Sequence, residues 1–301
     1  MSDGRTSHIV QSLLVNVAIA VAKGVAAALT GSGALLAEAI HSAADCSNQV
    51  LLLIGVHQAR KPPSREYPLG RGREAYFWSF LVALILFSLG GMFSIYEGVH
   101  KLLSPEPVSR FLLGLAILIF SLVLEGAATV SNIREVNRRK KTLSFFRYLR
   151  ATKDSDLIVV LGENSAAVVG LTFAIAALCA AEWTGDSRWD AAGSVAIGTV
   201  LVVVAIFLAI EVKSLLLGER ADEEIERAVR DLIRPGGPIV EILSLITLQQ
   251  GPGEVILAAK VRIARSLQGD EVARTINAFE QAVHDRCPEV RWLFVEPDIE
   301  A

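Results

Sequence analysis

Cysteine, histidine and net charge are all scarce in this chain, and each scarcity removes a class of function. The 301 residues include 3 Cys and 5 His. Cys46, Cys179 and Cys287 lie far apart with no CxxC pair, which excludes a disulfide framework or a thiolate metal cage and leaves three free thiols. The formal net charge is only −3, so no global field argues for nucleic acid. No HExxH occurs, and without it an intramembrane metallohydrolase has neither its ligand pair nor its general base. The opening MSDGRTSHIVQ lacks a basic n-region and a small-residue cleavage site, so no removable signal peptide is expected.

What the chain has in abundance is apolar surface. Hydrophobic residues make up 52% and the mean hydropathy is +0.46, too apolar for an ordinary soluble enzyme. Six apolar windows stand out at 9–30, 34–56, 76–100, 110–132, 157–181 and 190–213, each close to the ~20 residues that cross a hydrocarbon core. Gly90-Gly91 in the third permits close approach of a neighbouring backbone.

Charge orients these spans. Arg60, Lys61, Arg65, Arg71 and Arg73 crowd the connection after the second, and Arg134, Arg138, Arg139, Lys140, Lys141, Arg147, Arg150 and Lys153 the connection after the fourth. The other connections carry almost no cations, so the positive-inside rule predicts both basic loops, and hence both termini, in the cytosol. Phe145, Phe146 and Tyr148 among those cations are also suited to anionic lipid.

From Gly218 the character changes. GERADEEIERAVRDLI and DEVARTINAFEQAVHDRC read as amphipathic helices, and IVEILSLITLQQ, EVILAAKVRIA and VRWLFVEP as strands, the first two joined at Gly251-Pro252-Gly253. The expected fold class is therefore a membrane α-helical bundle of six spans followed by a small α+β domain of order α-β-β-α-β, ferredoxin-like. The expected division is an N-terminal tail 1–8, a transmembrane domain 9–217 and a dimerisation domain 218–301.

Ionisable residues inside apolar windows mark sites, because each costs several kcal/mol in hydrocarbon. Glu38, His41 and Asp45 share one face of the second window, and His41 with Asp45 at i, i+4 offers half a site for a divalent transition metal. The same pair could instead hold two helices together. Glu163, followed by Asn164, lies in the fifth window, about 15 Å along a helix expected to begin before it near Lys153, and Asp45 about 20 Å from the cytosolic end of the second. The two can meet, unless Glu163 is an interfacial acid. Asp190 reads as the N-cap of the sixth span, and Glu97 and His100 as solvated residues at the outer end of the third. Glu125 in the fourth either pairs with a cation such as Lys23 or moves protons.

These residues resemble a family. ALLAEAIHSAAD, the long stretch HSAADCSNQVLLLIGVHQARKPPSREYPLGRGREAYFWSF, GENSAAVVG, WDAAGS, LLLGERA and PEVRWLFVEP are similar to the cation diffusion facilitators, in the branch containing the ninth human zinc-transporter paralogue and many bacterial homologues. The resemblance covers Leu13 to Pro297. It implies a homodimeric, proton-coupled exporter of divalent metal, zinc first, in a bacterial cytoplasmic membrane, with no cofactor apart from the transported ion. It implies a mid-membrane metal site with His41 and Asp45 from the second span and Glu163, with Asn164, from the fifth. Family members place an acid four residues after the first fifth-span ligand, where this chain has Ala167. That departure implies a weaker, oxygen-rich site that also admits Mn²⁺ or Fe²⁺, and its alternative is a non-transporting scaffold or regulator. The tail holds only His284 where many members have several histidines, which implies dimerisation without a metal cluster.

Overall fold

The computed structural model describes residues 3–105, 107–140 and 143–298, with side chains from Asn16 onward. Lys141 and residues 1–2 of the expected tail lie outside the described residues. From Asp3 the tail is already helical, continuous with the first span.

Two compact units divide the chain. The first takes in residues up to Ile54, Trp78–Tyr148 and Asp156–Glu211. The helices lying wholly or mostly within it are α1 (Asp3–Thr30), α2 (Gly33–Ala59), α3 (Glu74–Ile85), α4 (Phe93–Leu103), α5 (Phe111–Arg139), α6 (Phe145–Ala151), α7 (Ser155–Thr184) and α8 (Arg188–Leu217). A π-helical segment, Leu86–Met92, joins α3 to α4 into one continuous helix. Most run a few residues beyond the apolar windows, because backbone hydrogen bonding continues through polar positions that hydropathy does not score.

Among the described residues four helices are long and apolar enough to cross a bilayer: Glu74–Leu103, Phe111–Arg139, Ser155–Thr184 and Arg188–Leu217. The described part of α1, Asn16–Thr30, is a shorter apolar stretch. α2 has the length, at 27 residues, but His41, Asp45, Ser47, Asn48 and Gln49 dilute its apolarity. Composition alone therefore marks four spans where six were expected.

Small residues set the packing in this unit. A Cβ on Gly91 would come within 2.6 Å of Val202 and one on Gly98 within 2.8 Å of the Ala191 carbonyl, so α3–α4 lies directly against α8. Gly193 meets Ala177 of α7 in the same way. Lipid supplies no hydrophobic drive between helices, so this close van der Waals approach carries much of the association.

The second unit comprises Gly55–Phe77, Leu149–Ser155 and the chain from Val212. Its element order is α9 (Glu223–Arg230), β1 (Ile239–Gly251), β2 (Glu254–Ile263), α10 (Asp270–Arg286) and β3 (Val290–Pro297). β2 lies in the middle, antiparallel to β1 through a hairpin and parallel to β3 after the α10 crossover. Val255, Leu257, Ala259 and Val261 alternate along β2 into one core with Val229 of α9 and Phe279 and Val283 of α10. Val240, Ile246 and Phe294, elsewhere on β1 and β3, are exposed.

One sequence expectation needs correction here. The first tail helix is shorter than the pattern 218–233. Residues before it pair with β1 instead: Gln249 N donates to the Glu219 carbonyl at 2.8 Å and Ala221 N to Thr247 Oγ1 at 3.2 Å. The compact unit also takes in parts of both basic connections. Gly72 abuts the hairpin so closely that a Cβ would lie 2.7 Å from the Gln250 carbonyl, and the Gln250 amide donates to the Leu69 carbonyl at 3.4 Å. Lys153 pairs with Glu219 at 3.0 Å, and Tyr76 donates to the Lys153 carbonyl at 3.4 Å.

Candidate metal-transport site

The polar residues of α2 form a single stripe. Glu38, His41, Asp45 and Asn48 follow one another at three- and four-residue steps, which places them on one helical face. Glu38, His41 and Asn48 are fully or almost fully buried, and the Asp45 side chain is 17% exposed.

His41 Nε2 and Asp45 Oδ2 lie 3.6 Å apart, too far for a hydrogen bond. Two ligands each about 2.1 Å from a tetrahedral cation stand roughly 3.4 Å apart, so the gap matches the span of a shared ion. From α7, Glu163 faces this stripe, buried at 6% exposure. Its Oε1 accepts a hydrogen bond from Asn48 Nδ2 at 2.5 Å, and its charge interacts with that of Asp45. Both His41 ring nitrogens, Asp45 Oδ1 and Asn48 Oδ1 are buried without a hydrogen-bond partner in the protein. Orphaned buried acceptors are costly, and a divalent cation bound by nitrogen and oxygen donors would satisfy them.

Asn48 is the residue that sequence reasoning missed. Its signal was present: an amide one turn beyond Asp45 on the same face. Glu163 lies eight residues, about 12 Å, into α7 rather than 15 Å, and it meets α2 at Asn48, one turn nearer the basic end than Asp45. Asn164 is half-buried, and its backbone carbonyl accepts from Thr129 Oγ1 of α5 at 3.1 Å. Ala167 is buried against the bundle. Among the described residues no group of three His, Cys, Asp or Glu side chains is gathered tightly enough to hold a metal ion.

A second buried cluster begins one turn away. Lys23 of α1 donates to Ser42 Oγ at 2.8 Å and to Glu38 Oε2 at 3.3 Å, and all three are buried. Lys23 is thus paired with Glu38, not with Glu125. Glu125 is half-buried and within electrostatic range of Lys23, Asp45 and His41.

Asp190 does not cap its own helix. Asp186 does so, accepting from Arg188 N at 3.0 Å. Asp190 instead closes the N-terminus of α2, where Oδ1 accepts from Ser32 Oγ and Oδ2 from Gly33 N, both at 2.5 Å. Lys101 Nζ donates to the Gly31 carbonyl at 2.5 Å and pairs with Glu97 at 3.9 Å, so Glu97 belongs to this clamp. His100 is exposed, as its position near the end of the helix implies. In the tail, His284 Nδ1 donates to the Val290 carbonyl at 2.9 Å, which orients the ring toward the start of β3.

Comparison with known proteins fixes the class. Residues 9–217 match the cation efflux transmembrane domain. The chain is 32% identical over 234 residues to the proton-coupled zinc antiporter SLC30A9, mitochondrial, of Xenopus laevis, covering 77% of this chain and 42% of that protein. It is 30% identical to metal tolerance protein C4 of Arabidopsis thaliana, covering 77% and 51%. It is 25% identical to the cation-efflux pump FieF of Cronobacter sakazakii, covering 75% and 71%. The chain belongs to the cation efflux family, a family of transporters, and is an integral membrane protein. It spans about two fifths of the length of its SLC30A9 relatives. The expected bacterial cytoplasmic membrane is overturned by these matches, since the SLC30A9 relatives from frog, human, orang-utan and mouse are named as mitochondrial.

Proposed function

We propose that this chain is a proton-coupled exporter of a divalent metal ion, zinc before manganese or iron, acting as a homodimer. The observation that carries it is the stripe His41–Asp45–Asn48 facing Glu163, with its orphaned nitrogen and oxygen atoms buried in a membrane domain. His41, Asp45 and Glu163 bind the ion, and Asn48 holds Glu163 toward it or supplies a further oxygen. The ion is cargo, not a resident cofactor.

Six spans serve this function, α1 and α2 joining the four apolar ones, with both termini and both basic loops on one face of the membrane. α2 crosses because its polar residues face inward to the site rather than to lipid. Cation release follows from competition by protons. An imidazole or carboxylate that gains a proton ceases to be a ligand. Rocking of the bundle exposes the site to alternate sides. The exposed Val240, Ile246 and Phe294 of the sheet supply the dimer contact, without the histidine cluster of other family tails.

A second reading, a scaffold with a degenerate site, draws support from the absence of any tight group of three ligating side chains among the described residues. Flux separates the two. Purified protein in proteoliposomes with an imposed pH gradient should move zinc, manganese, iron or cobalt. Protein that moves none of them is a scaffold.

A further inference from the structure

The buried Lys23–Glu38–Ser42 cluster has no part in holding the ion, yet it occupies the same stripe of α2 as the site. Glu38 lies one turn, about 4.5 Å, from His41 toward Gly33, and Ser42 is the residue after His41. An ion leaving His41 and Asp45 along the stripe toward the Gly33 end therefore meets the Lys23 ammonium. That ammonium is completely buried and tethered by Ser42 and Glu38. α7 makes room for the arrangement. Gly170 has no side chain where Glu38 Oε1 sits, and a Cβ there would come within 2.6 Å of that oxygen. Glu38 Oε1 has no hydrogen-bond partner in the protein, so the carboxylate is only half satisfied by Lys23.

The unpaired oxygen leaves Glu38 capacity for a second cationic partner. A buried ionised acid with an unpaired atom is costly, and the cost is explained if the carboxylate has a second cationic partner at another stage of the cycle. Three acids act on Lys23: Glu38 by contact, and Asp45 and Glu125 of α5 within electrostatic range, as is His41.

We propose that Lys23 is a tethered cation that gates the ion path, held on Glu38 and Ser42 to block passage from His41 and Asp45 toward the Gly33 end of α2. A divalent ion passes only when Lys23 leaves Glu38, whose freed carboxylate and Ser42 hydroxyl then serve as the next station. In the resting state the ammonium takes the place of cargo, so the acidic cluster is never left uncompensated. The proposal rests on the transport function proposed above and names its gate.

The test compares wild type with Lys23→Arg, Lys23→Met and the double variant Lys23→Met/Glu38→Gln in proteoliposomes loaded with a zinc-sensitive dye. Lys23→Met strands Glu38 and can fail to fold. The double variant removes both charges with little change of volume and keeps the proposal falsifiable. Its zinc influx in the absence of a pH gradient should exceed that of wild type by about tenfold or more, because no tethered ammonium then occupies the path, while the amide oxygen that replaces the carboxylate and the Ser42 hydroxyl still offer the ion a station. Lys23→Arg should stay tight. A double variant that folds and keeps wild-type coupling makes the pair a structural fastener and overturns the gate. Wild-type protein that moves no metal at all overturns the transport reading, and the gate with it.

Discussion

Asn48 of α2 donates its amide to the Glu163 carboxylate of α7 at 2.5 Å, and this bond sets the register between the two helices that carry the candidate ligands. Glu163 thereby faces Asp45 rather than lipid, and one Asn48 oxygen is left over in the same buried space. Truncating either member should therefore act on cation binding as well as on packing.

Asp45→Ala and Glu163→Ala should each nearly abolish metal flux in proteoliposomes while leaving membrane insertion intact, because each removes an intramembrane charge. Asn48→Ala should lower metal affinity about tenfold to a hundredfold, the range for partners that orient a ligand. Asn164→Asp should tighten binding if that side chain turns to the ion, and change nothing if it faces elsewhere. Equilibrium metal binding in detergent and flux together decide each variant. Unchanged flux for Glu163→Ala would remove it from the site.

Asp190→Ala should cost about 1–2 kcal/mol, the range for losing a helix cap, though the residue lies in α8 and the helix it caps is α2. Ser32→Ala in the same background should add little, since both changes break one interaction. A double-mutant cycle on thermal unfolding in detergent measures this coupling. Fully additive losses would contradict the shared clamp.

Gly72→Ala should loosen the connection 60–73 from the β1–β2 hairpin. Its Cβ would press on the Gln250 carbonyl at 2.7 Å, and overpacking of this kind costs about 1–3 kcal/mol. Limited proteolysis of the full-length protein should cut near Arg65 faster than in wild type. Gly24→Ala is the control, with nothing within 4 Å of the new Cβ, and should be neutral or stabilising.

The tail should dimerise the full-length protein in the presence of chelator. Ile246→Asp together with Phe294→Asp should give monomers by light scattering, since both side chains are exposed, at 64% and 58%. A wild-type dimer that falls apart on metal removal would show that a metal holds it.

Burial pushes the Cys287 thiol up, with Glu289 adding to the effect. The native state then holds this proton more tightly than the unfolded chain does. The contribution is fully present below the ordinary thiol value of about 8.5 and is lost as pH rises above it. Urea unfolding of the tail followed across that range should show stability falling, and Cys287→Ala should flatten the decline. A wild-type profile parallel to that of the variant would contradict it.

Much of this protein was legible as sequence because lipid imposes a simple rule: backbone polar groups must be satisfied within a helix, so apolar windows mark spans. α7 and α8 were read within a few residues on that basis, while α5 runs on past its window to Arg139. The strands followed from alternation, and β3 was found at its exact limits because a Cys-Pro start and a Pro end bound it. His41, Asp45 and Glu163 stood out because charge is rare in such windows. Sequence spacing could also put Glu38, His41 and Asp45 on one face, since that depends on one helix alone.

What crosses between helices was decided only by the tertiary structure. Periodicity gives no relative rotation or height for two packed helices, so neither the Asn48–Glu163 bond nor the transfer of Lys23 to Glu38 could be read from it. Asp190 looked like the cap of its own helix because capping is local in sequence more often than not, and the bundle brings it to Gly33 instead. The first tail helix lost its opening residues for the same reason, since pairing with β1 satisfies their backbone better than another helical turn. Local pattern fixes which groups must be buried, and packing chooses their partners.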